Sequence, residues 1–175
     1  VYNIDKIFID SYQQVSTPGG QRFPTVNEAI TRRVEKGTLV VNYTGHGGET
    51  GWAGERILYN DMVQSWQNIR KLPLFITATC EFSRYDDPGR TSTGELVLIN
   101  SEAGGVALMT TTRLVYAAQN AVLNAAMIAN LFEPLPGGDL ALQVGHSAEI
   151  PLDFPKRLVP LELVGYPHRC YPPMD

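Results

Sequence analysis

A histidine and a cysteine follow two apolar segments that have the composition of β-strands. Val40–Gly45 leads directly into His46, and Leu74–Thr79 leads in the same way into Cys80. Because the carboxyl ends of parallel strands meet at one edge of a sheet, this pattern predicts that both side chains lie at that edge. A cysteine attacks carbonyl groups as the thiolate, and a histidine is the usual base beside it. The pair indicates acyl transfer, with His46 as base and Cys80 as nucleophile.

The segment that follows the first strand is rich in glycine, which lets the backbone approach a ligand closely. Five glycines surround His46 and Trp52, namely Gly45, Gly47, Gly48, Gly51 and Gly54. An acyl-transfer site needs backbone N–H groups aimed at the oxyanion of the intermediate. The N–H groups of Gly47 and Cys80 are the candidates for this oxyanion hole.

Two other interpretations of the same residues remain open. A lone histidine and a lone cysteine in core strands are often packing residues. A zinc site could draw its ligands from His46, Cys80, His146, His168 and Cys170, although no two of these show the paired spacing of a zinc motif. The chain has two cysteines, and we expect Cys80 to be a reactive thiol and not half of a Cys80–Cys170 disulfide.

Composition excludes several classes of protein. The chain of 175 residues is about one domain long, and its 43% hydrophobic and 18% charged residues are typical of a globular protein. A net charge of −4 gives no reason to expect nucleic-acid binding. No apolar run approaches the ~18 residues of a membrane-spanning helix, and the first residues lack the pattern of a signal peptide.

Strands and helices alternate along the first three quarters of the chain. We predict strands over Ile4–Ile9, Leu39–Tyr43, Leu74–Thr79 and Val106–Thr111. We predict helices over Thr25–Gly37, Asn60–Trp66, Ser92–Ile99 and Ala117–Phe132. Thr25 with Glu28, and Ser92 with Glu95, have the spacing of a capping box at a helix start. This alternation favours an α/β fold with a mainly parallel sheet between two layers of helices.

The last part of the chain has a different composition. Eight of the 12 prolines lie from Pro134 onward, where no periodic pattern persists. The sequence therefore divides into a domain over residues 1–133 and an irregular, proline-rich tail over residues 134–175, to which we assign no chemistry.

Two segments resemble the catalytic signatures of gingipain-type cysteine peptidases. These are Asn42–Gly48, which reads Asn-Tyr-Thr-Gly-His-Gly-Gly, and Leu74–Phe82, which reads Leu-Phe-Ile-Thr-Ala-Thr-Cys-Glu-Phe. The segments between and after them are similar to the family in the same order, including Trp52-Ala53, Tyr85–Pro88 and Thr112–Tyr116. The resemblance covers roughly residues 1–133.

The resemblance implies a caspase-like α/β/α fold, with His46 as base, Cys80 as nucleophile and Gly47 and Cys80 as oxyanion donors. Within the family the chain looks most like the cell-surface sortases of the bacterial type IX secretion system. That likeness implies removal of C-terminal sorting domains from secreted cargo through a thioester. It also implies surface lipopolysaccharide as an acyl acceptor, other secretion components as partners, and a location on the outer face of the outer membrane.

The chain departs from the family in its length. Gingipains carry acidic site residues upstream of the segment seen here, so we predict a partial domain that is inactive as an isolated fragment. Glu49 is the candidate acid that orients His46, with Glu55 and Asp86 as alternatives, although the sequence favours a solvated loop charge at each of these positions. Trp52, Thr79 and Tyr116 are candidates for the substrate pocket.

Few accessory groups are expected around this site. We expect no cofactor, although Asp86 and Asp87 offer the hard oxygen ligands that structural calcium prefers. We expect Arg113 to pair with a carboxylate near the site. The competing function is a catalytically inactive binding module within a larger surface protein.

Overall fold

The computed structural model describes residues 3–132 of the chain. In chain order the elements are the 3-10 helix Ile9–Ser11, β1 (Val15–Thr17), β2 (Gly20–Arg22), α1 (Pro24–Lys36), β3 (Val40–Thr44), β4 (Gly47–Gly48), β5 (Gly51–Trp52), β6 (Leu58–Tyr59), α2 (Asn60–Ser65), β7 (Leu74–Ala78), α3 (Thr93–Ile99), β8 (Ala107–Met109) and α4 (Ala117–Asn130). Among these elements no helix is both long enough and apolar enough to cross a membrane.

A parallel sheet in the order β3-β7-β8 occupies the centre of the described structure. Every residue of β7 is buried, as expected for a central strand covered on both faces. Phe75 packs into a cluster with α1, α2 and α3, whereas Leu74, Ile76 and Ala78 pack with α4. Alternate residues of one strand thus contact two helical layers, which confirms the predicted three-layer α/β architecture.

Helix α1 buries one face against the sheet, and Gly37 ends it at a φ of 105°. The buried residues Val26, Ala29, Ile30 and Val34 recur at the spacing of one helical face. The helix begins at Pro24, so Phe23 is the N-cap and has no side-chain cap bond. The predicted capping box of Thr25 and Glu28 is therefore wrong, because Pro24 takes the first helical position and the N-cap lies two residues earlier, at Phe23.

The second predicted capping box is confirmed at the start of α3. The Ser92 hydroxyl accepts a hydrogen bond from the backbone N–H of Glu95, and the Glu95 carboxylate accepts one from the N–H of Ser92 at 2.7 Å. This arrangement satisfies two backbone donors that a helix start leaves without an internal partner.

Two local predictions differ from the structure. Residues Ile4–Ile9 form no strand, and Ile4 is 79% exposed, because no described strand lies beside them to complete a ladder. The glycine-rich segment after β3 is not an irregular loop but the small antiparallel sheet β4-β5-β6. Its strands have two residues each, too few to show a period of two in the sequence. The predicted tail over residues 134–175 lies outside the described residues.

Candidate active site

His46 lies immediately beyond the end of β3. The strand ends at Thr44, and the N–H of the next residue, Gly45, donates a hydrogen bond to the carbonyl of Ala78 in β7 at 3.1 Å. The side chain of His46 is exposed. Its backbone carbonyl accepts two hydrogen bonds, from the hydroxyl of Tyr43 at 2.7 Å and from the N–H of Ala53 at 2.8 Å. The backbone of the histidine is therefore fixed from two sides.

Cys80 lies at the end of β7, in a segment held by the chain that follows β8. The Thr79 carbonyl accepts a hydrogen bond from the Thr111 hydroxyl at 2.6 Å, and the Glu81 N–H donates to the carbonyl of Arg113 at 3.3 Å. Glu81 has a φ of 47°, so the chain turns sharply after the cysteine in a region that non-glycine residues seldom adopt. Cys80 is 6% exposed.

The sulfur of Cys80 lies 3.9 Å from the carbonyl oxygen of Val115 and is disulfide-bonded in this structure. The expectation of a thiol at this position is therefore not met here, and Cys170, the other cysteine of the chain, lies outside the described residues. The physical reason is that a reactive thiolate is also the form of cysteine that forms disulfides. The acyl-transfer chemistry considered below belongs to the reduced side chain.

The parallel register brings the histidine and cysteine segments to the same edge of the sheet. Thr44 of β3 pairs with Ala78 of β7, and His46 and Cys80 each lie two residues beyond this last pair. The two segments are in close contact beyond the ladder, because a Cβ atom placed on Gly47 would lie 2.3 Å from the hydroxyl oxygen of Thr79. The structure thus places the backbone segments of His46 and Cys80 at one edge of the sheet, as the sequence pattern predicts.

The orientation of the Gly47 N–H follows from the pairing of β4 with β5. Hydrogen-bonded and non-hydrogen-bonded pairs alternate along an antiparallel ladder. The bond from Ala53 to the His46 carbonyl makes the neighbouring Gly47–Trp52 pair the non-bonded one. The N–H of Gly47 therefore points away from β5.

Glu49 is engaged by arginines and not by the histidine. Its carboxylate lies 2.7 Å from the guanidinium of Arg84 and 3.3 Å from that of Arg90. Its backbone carbonyl accepts a hydrogen bond from the N–H of Thr93 at 2.7 Å. Within residues 3–132 no carboxylate is hydrogen-bonded to the imidazole of His46. Glu49 therefore links the histidine segment to the loop after Cys80 and to the start of α3.

The two aspartates of the loop after Cys80 each form an ion pair with an arginine. Asp86 pairs with Arg113, at 2.7 Å for one of the two contacts, which confirms the expected carboxylate partner of this arginine. The bond from Arg113 lowers the pKa of Asp86. The backbone N–H of Gly89 and the neighbouring Arg90 lower the pKa of Asp87.

Neither aspartate points to a metal site in the part of the chain that the structure describes. Both carboxylates that could bind calcium are neutralised by arginines, and no group of three potential ligands is close enough to hold a metal ion there. The zinc alternative required His146, His168 and Cys170 as further ligands, and these residues lie outside the described range.

The three candidate pocket residues occupy different environments. Trp52 is 2% exposed and packs against Tyr43, Phe75 and Phe82, so it lies in the core and is not the wall of an open pocket. The sequence places a tryptophan in a glycine-rich segment but does not show that β5 turns it inward. Thr79 is 1% exposed, and its hydroxyl has no partner among the described residues. Tyr116 is 82% exposed beside the start of α4.

The site contains two residues that the sequence interpretation missed. Tyr43 donates a hydrogen bond to the carbonyl of His46, and Arg84 forms an ion pair with Glu49. Tyrosine is common in β-strands, so the presence of Tyr43 in β3 does not predict this contact. The partner of Arg84 lies 35 residues away in sequence, and only the fold brings the two together.

Two solved structures are similar to the described fold. The complex of the pro- and mature domains of Porphyromonas gingivalis RgpB has a TM-score of 0.56 and 23% identity, over 63% of this chain and 26% of that chain. The crystal structure of the Arg-specific cysteine proteinase gingipain R has a TM-score of 0.53 and 23% identity, over 64% and 28%. The chain thus spans about a quarter of the length of these two chains. These likenesses support a partial domain of gingipain fold, as the sequence predicts.

A family model matches most of the chain, whereas no curated protein matches it significantly. The matching model describes peptidase family C25 and covers residues 1–149, past the boundary predicted at residue 133. The matched range includes β3 and β7, the glycine-rich segment around His46 and the loop after Cys80. It confirms the gingipain-type family expected from the two sequence signatures: this chain belongs to peptidase family C25.

Proposed function

We propose that the chain carries the catalytic dyad of a cysteine peptidase, with His46 as base and reduced Cys80 as nucleophile. The observation that carries the proposal is the register of β3 and β7, which puts both residues two positions beyond the same strand pair. The family to which the chain belongs supports the same assignment. Peptide-bond cleavage is the reaction that a thiolate, an adjacent base and nearby backbone donors perform together.

The proposed reaction has two steps, acylation of Cys80 and transfer of the acyl group to water or to an amine. His46 takes the proton of the thiol, and the sulfur of Cys80 attacks the scissile carbonyl to give a tetrahedral oxyanion, which accepts hydrogen bonds from the N–H groups of Gly47 and Cys80. Collapse of this intermediate breaks the C–N bond, forms a thioester and releases an amine that receives the proton from His46. Water or a second amine then attacks the thioester, which regenerates the thiol and yields an acid or a new amide.

We further propose that the protein acts as a sortase on the bacterial cell surface, in the manner of PorU of the type IX secretion system. The substrate would be secreted cargo with a C-terminal sorting domain, and an amine of surface lipopolysaccharide would be the alternative acyl acceptor. Other components of the secretion system would be its partners. The support for this finer assignment is the likeness of the two signatures and of the segments between them.

The proposal includes no metal or other cofactor, because the thiolate itself is the nucleophile and the backbone supplies the oxyanion donors. Removal of divalent cations with a chelator should leave cleavage by the complete protein unchanged.

The test is a cysteine replacement in cells that secrete the cargo. Cys80→Ala in the complete protein should leave the sorting domain attached to the cargo, as seen by its larger mass. Cys170→Ala is the matched control and should permit normal maturation, because it removes the other cysteine of the chain. Normal maturation with Cys80→Ala would overturn the proposal.

A second candidate is an inactive binding module. The observation in its favour is that Glu49 is held by Arg84 and Arg90, while no described carboxylate orients His46. A binding module predicts that Cys80→Ala and His46→Ala leave both cargo maturation and cargo binding intact. Loss of maturation with retained binding would exclude it.

A further inference from the structure

The carbonyl of His46 is anchored by a side chain from its own strand. Tyr43 lies three residues before the histidine, and its hydroxyl donates to the His46 carbonyl at 2.7 Å. The chain between them passes directly over the ring. A Cβ atom on Gly45 would lie 2.5 Å from the Tyr43 hydroxyl oxygen and 2.9 Å from the adjacent ring carbon. Only glycine at residue 45 permits this close approach.

The ring of Tyr43 is itself fixed by the core. It stacks on Trp52 with the ring centroids 4.3 Å apart and an angle of 7° between the planes. Trp52 is 2% exposed and packs against Phe75 of the central strand and Phe82 of the following loop. A continuous series of packed aromatic rings thus joins the sheet to the carbonyl of the histidine.

Tyr43 is suited to serve as a permanent donor. Burial raises the pKa of its hydroxyl, and the negative charge of Glu55 acts in the same direction. The phenol therefore keeps its proton at all pH values at which a histidine titrates. Its hydroxyl is consequently a fixed hydrogen-bond donor to the backbone and takes no part as a base.

We propose that Tyr43 is a positioning residue for His46, and that the hydrogen bond from its hydroxyl to the His46 carbonyl holds the imidazole in register with Cys80. The inference rests on the proposed function of the His46–Cys80 pair. It also supplies the orienting contact that the carboxylate of Glu49 does not provide. The histidine is oriented through its backbone, which is held by Tyr43 on one side and by Ala53 on the other.

The test compares two tyrosine-to-phenylalanine variants of the reduced complete protein. Tyr43→Phe removes the hydroxyl but keeps the ring that stacks on Trp52. Loss of a hydrogen bond of ordinary strength should lower the kcat of Tyr43→Phe by about 3- to 10-fold and change its KM by less than about 2-fold. Tyr59→Phe is the matched control, because Tyr59 lies in β6 of the same small sheet and its hydroxyl makes no hydrogen bond to a described residue. Its kcat should equal that of the wild type.

A second readout separates positioning from stability. The rate of Cys80 alkylation near neutral pH should fall in Tyr43→Phe and stay unchanged in Tyr59→Phe, at temperatures well below the unfolding transition of both. Unchanged kcat and alkylation in Tyr43→Phe would overturn the inference and leave the proposed function intact. A wild-type protein whose cleavage did not depend on Cys80 would instead overturn the proposed function.

Discussion

Replacement of Gly47 by alanine tests the contact that joins the histidine segment to the cysteine segment. The added Cβ would lie 2.3 Å from the hydroxyl oxygen of Thr79 and 3.0 Å from the carbonyl oxygen of Gly51. Neither neighbour yields easily, because Thr79 is 1% exposed with a side chain that is stiff at χ1, and the Gly51 oxygen belongs to the backbone. To restore an ordinary contact the two segments must separate by about 1 Å.

The expected cost follows from that separation. Overpacking of this kind lowers the free energy of unfolding by about 1–3 kcal/mol. The effect on catalysis is larger, because Gly47 supplies a proposed oxyanion donor, and loss of one such donor reduces kcat by about 100- to 1,000-fold. We therefore expect Gly47→Ala to lower kcat by about 100-fold in the complete protein while the fold is retained.

Gly48→Ala is the matched control for this prediction. The two glycines are adjacent in β4, yet a Cβ on Gly48 would meet no atom within 4 Å. This variant should keep kcat within about 2-fold of the wild type, the range of an ordinary surface substitution. Thermal unfolding and steady-state cleavage of a peptide substrate measure both quantities. Equal loss of activity in Gly47→Ala and Gly48→Ala, or wild-type activity of Gly47→Ala, would show that the contact between Gly47 and Thr79 does not position the oxyanion donor.

Two further predictions concern stability. Ser92→Ala removes the hydroxyl of the α3 capping box and should lower the free energy of unfolding by about 1 kcal/mol, measured by urea denaturation, with Ser101→Ala as an exposed control that should have little effect. The hydrogen bonds and ion pairs that lower the pKa values of Asp86 and Asp87 stabilise the folded state when both carboxylates are ionised, at pH values above the ordinary aspartate pKa of about 3.9. This stabilisation is lost as the pH falls through the lower pKa values of the folded state. The double variant Asp86→Asn, Asp87→Asn should therefore lose less thermal stability than the wild type when the pH is lowered from about 5 to about 2; equal losses would contradict the assignment.

The regular elements could be predicted because their sequence patterns reflect local physics. The apolar face of α1 and the continuous apolar run of β7 each bury the residues that the sequence indicates. The strand ends also placed His46 and Cys80 correctly at one edge, since parallel pairing is the usual arrangement of such α/β units. The capping box of α3 was predictable for the same reason, because both of its bonds lie within four residues.

The remaining features depend on contacts between distant parts of the chain. Glu49 is close to His46 in sequence, but its carboxylate is held by arginines 35 and 41 residues further on. The inward position of Trp52 depends on the pairing of β5 with β4 and β6, whose strands are too short to leave a pattern. The support of His46 by Tyr43 depends on a ring position that the aromatic core determines. Each of these contacts is decided by tertiary packing and not by local propensity.

The pH dependence of Cys80 alkylation reports whether His46 acts on the thiol of Cys80. The measurement uses the reduced complete protein, with modification of the Cys80 peptide followed by mass spectrometry between pH 5 and 9. The His46–Cys80 pair predicts an apparent thiol pKa below the ordinary value of about 8.5 in the wild type, and a return to that value in His46→Ala. Identical profiles for the two proteins would contradict the dyad.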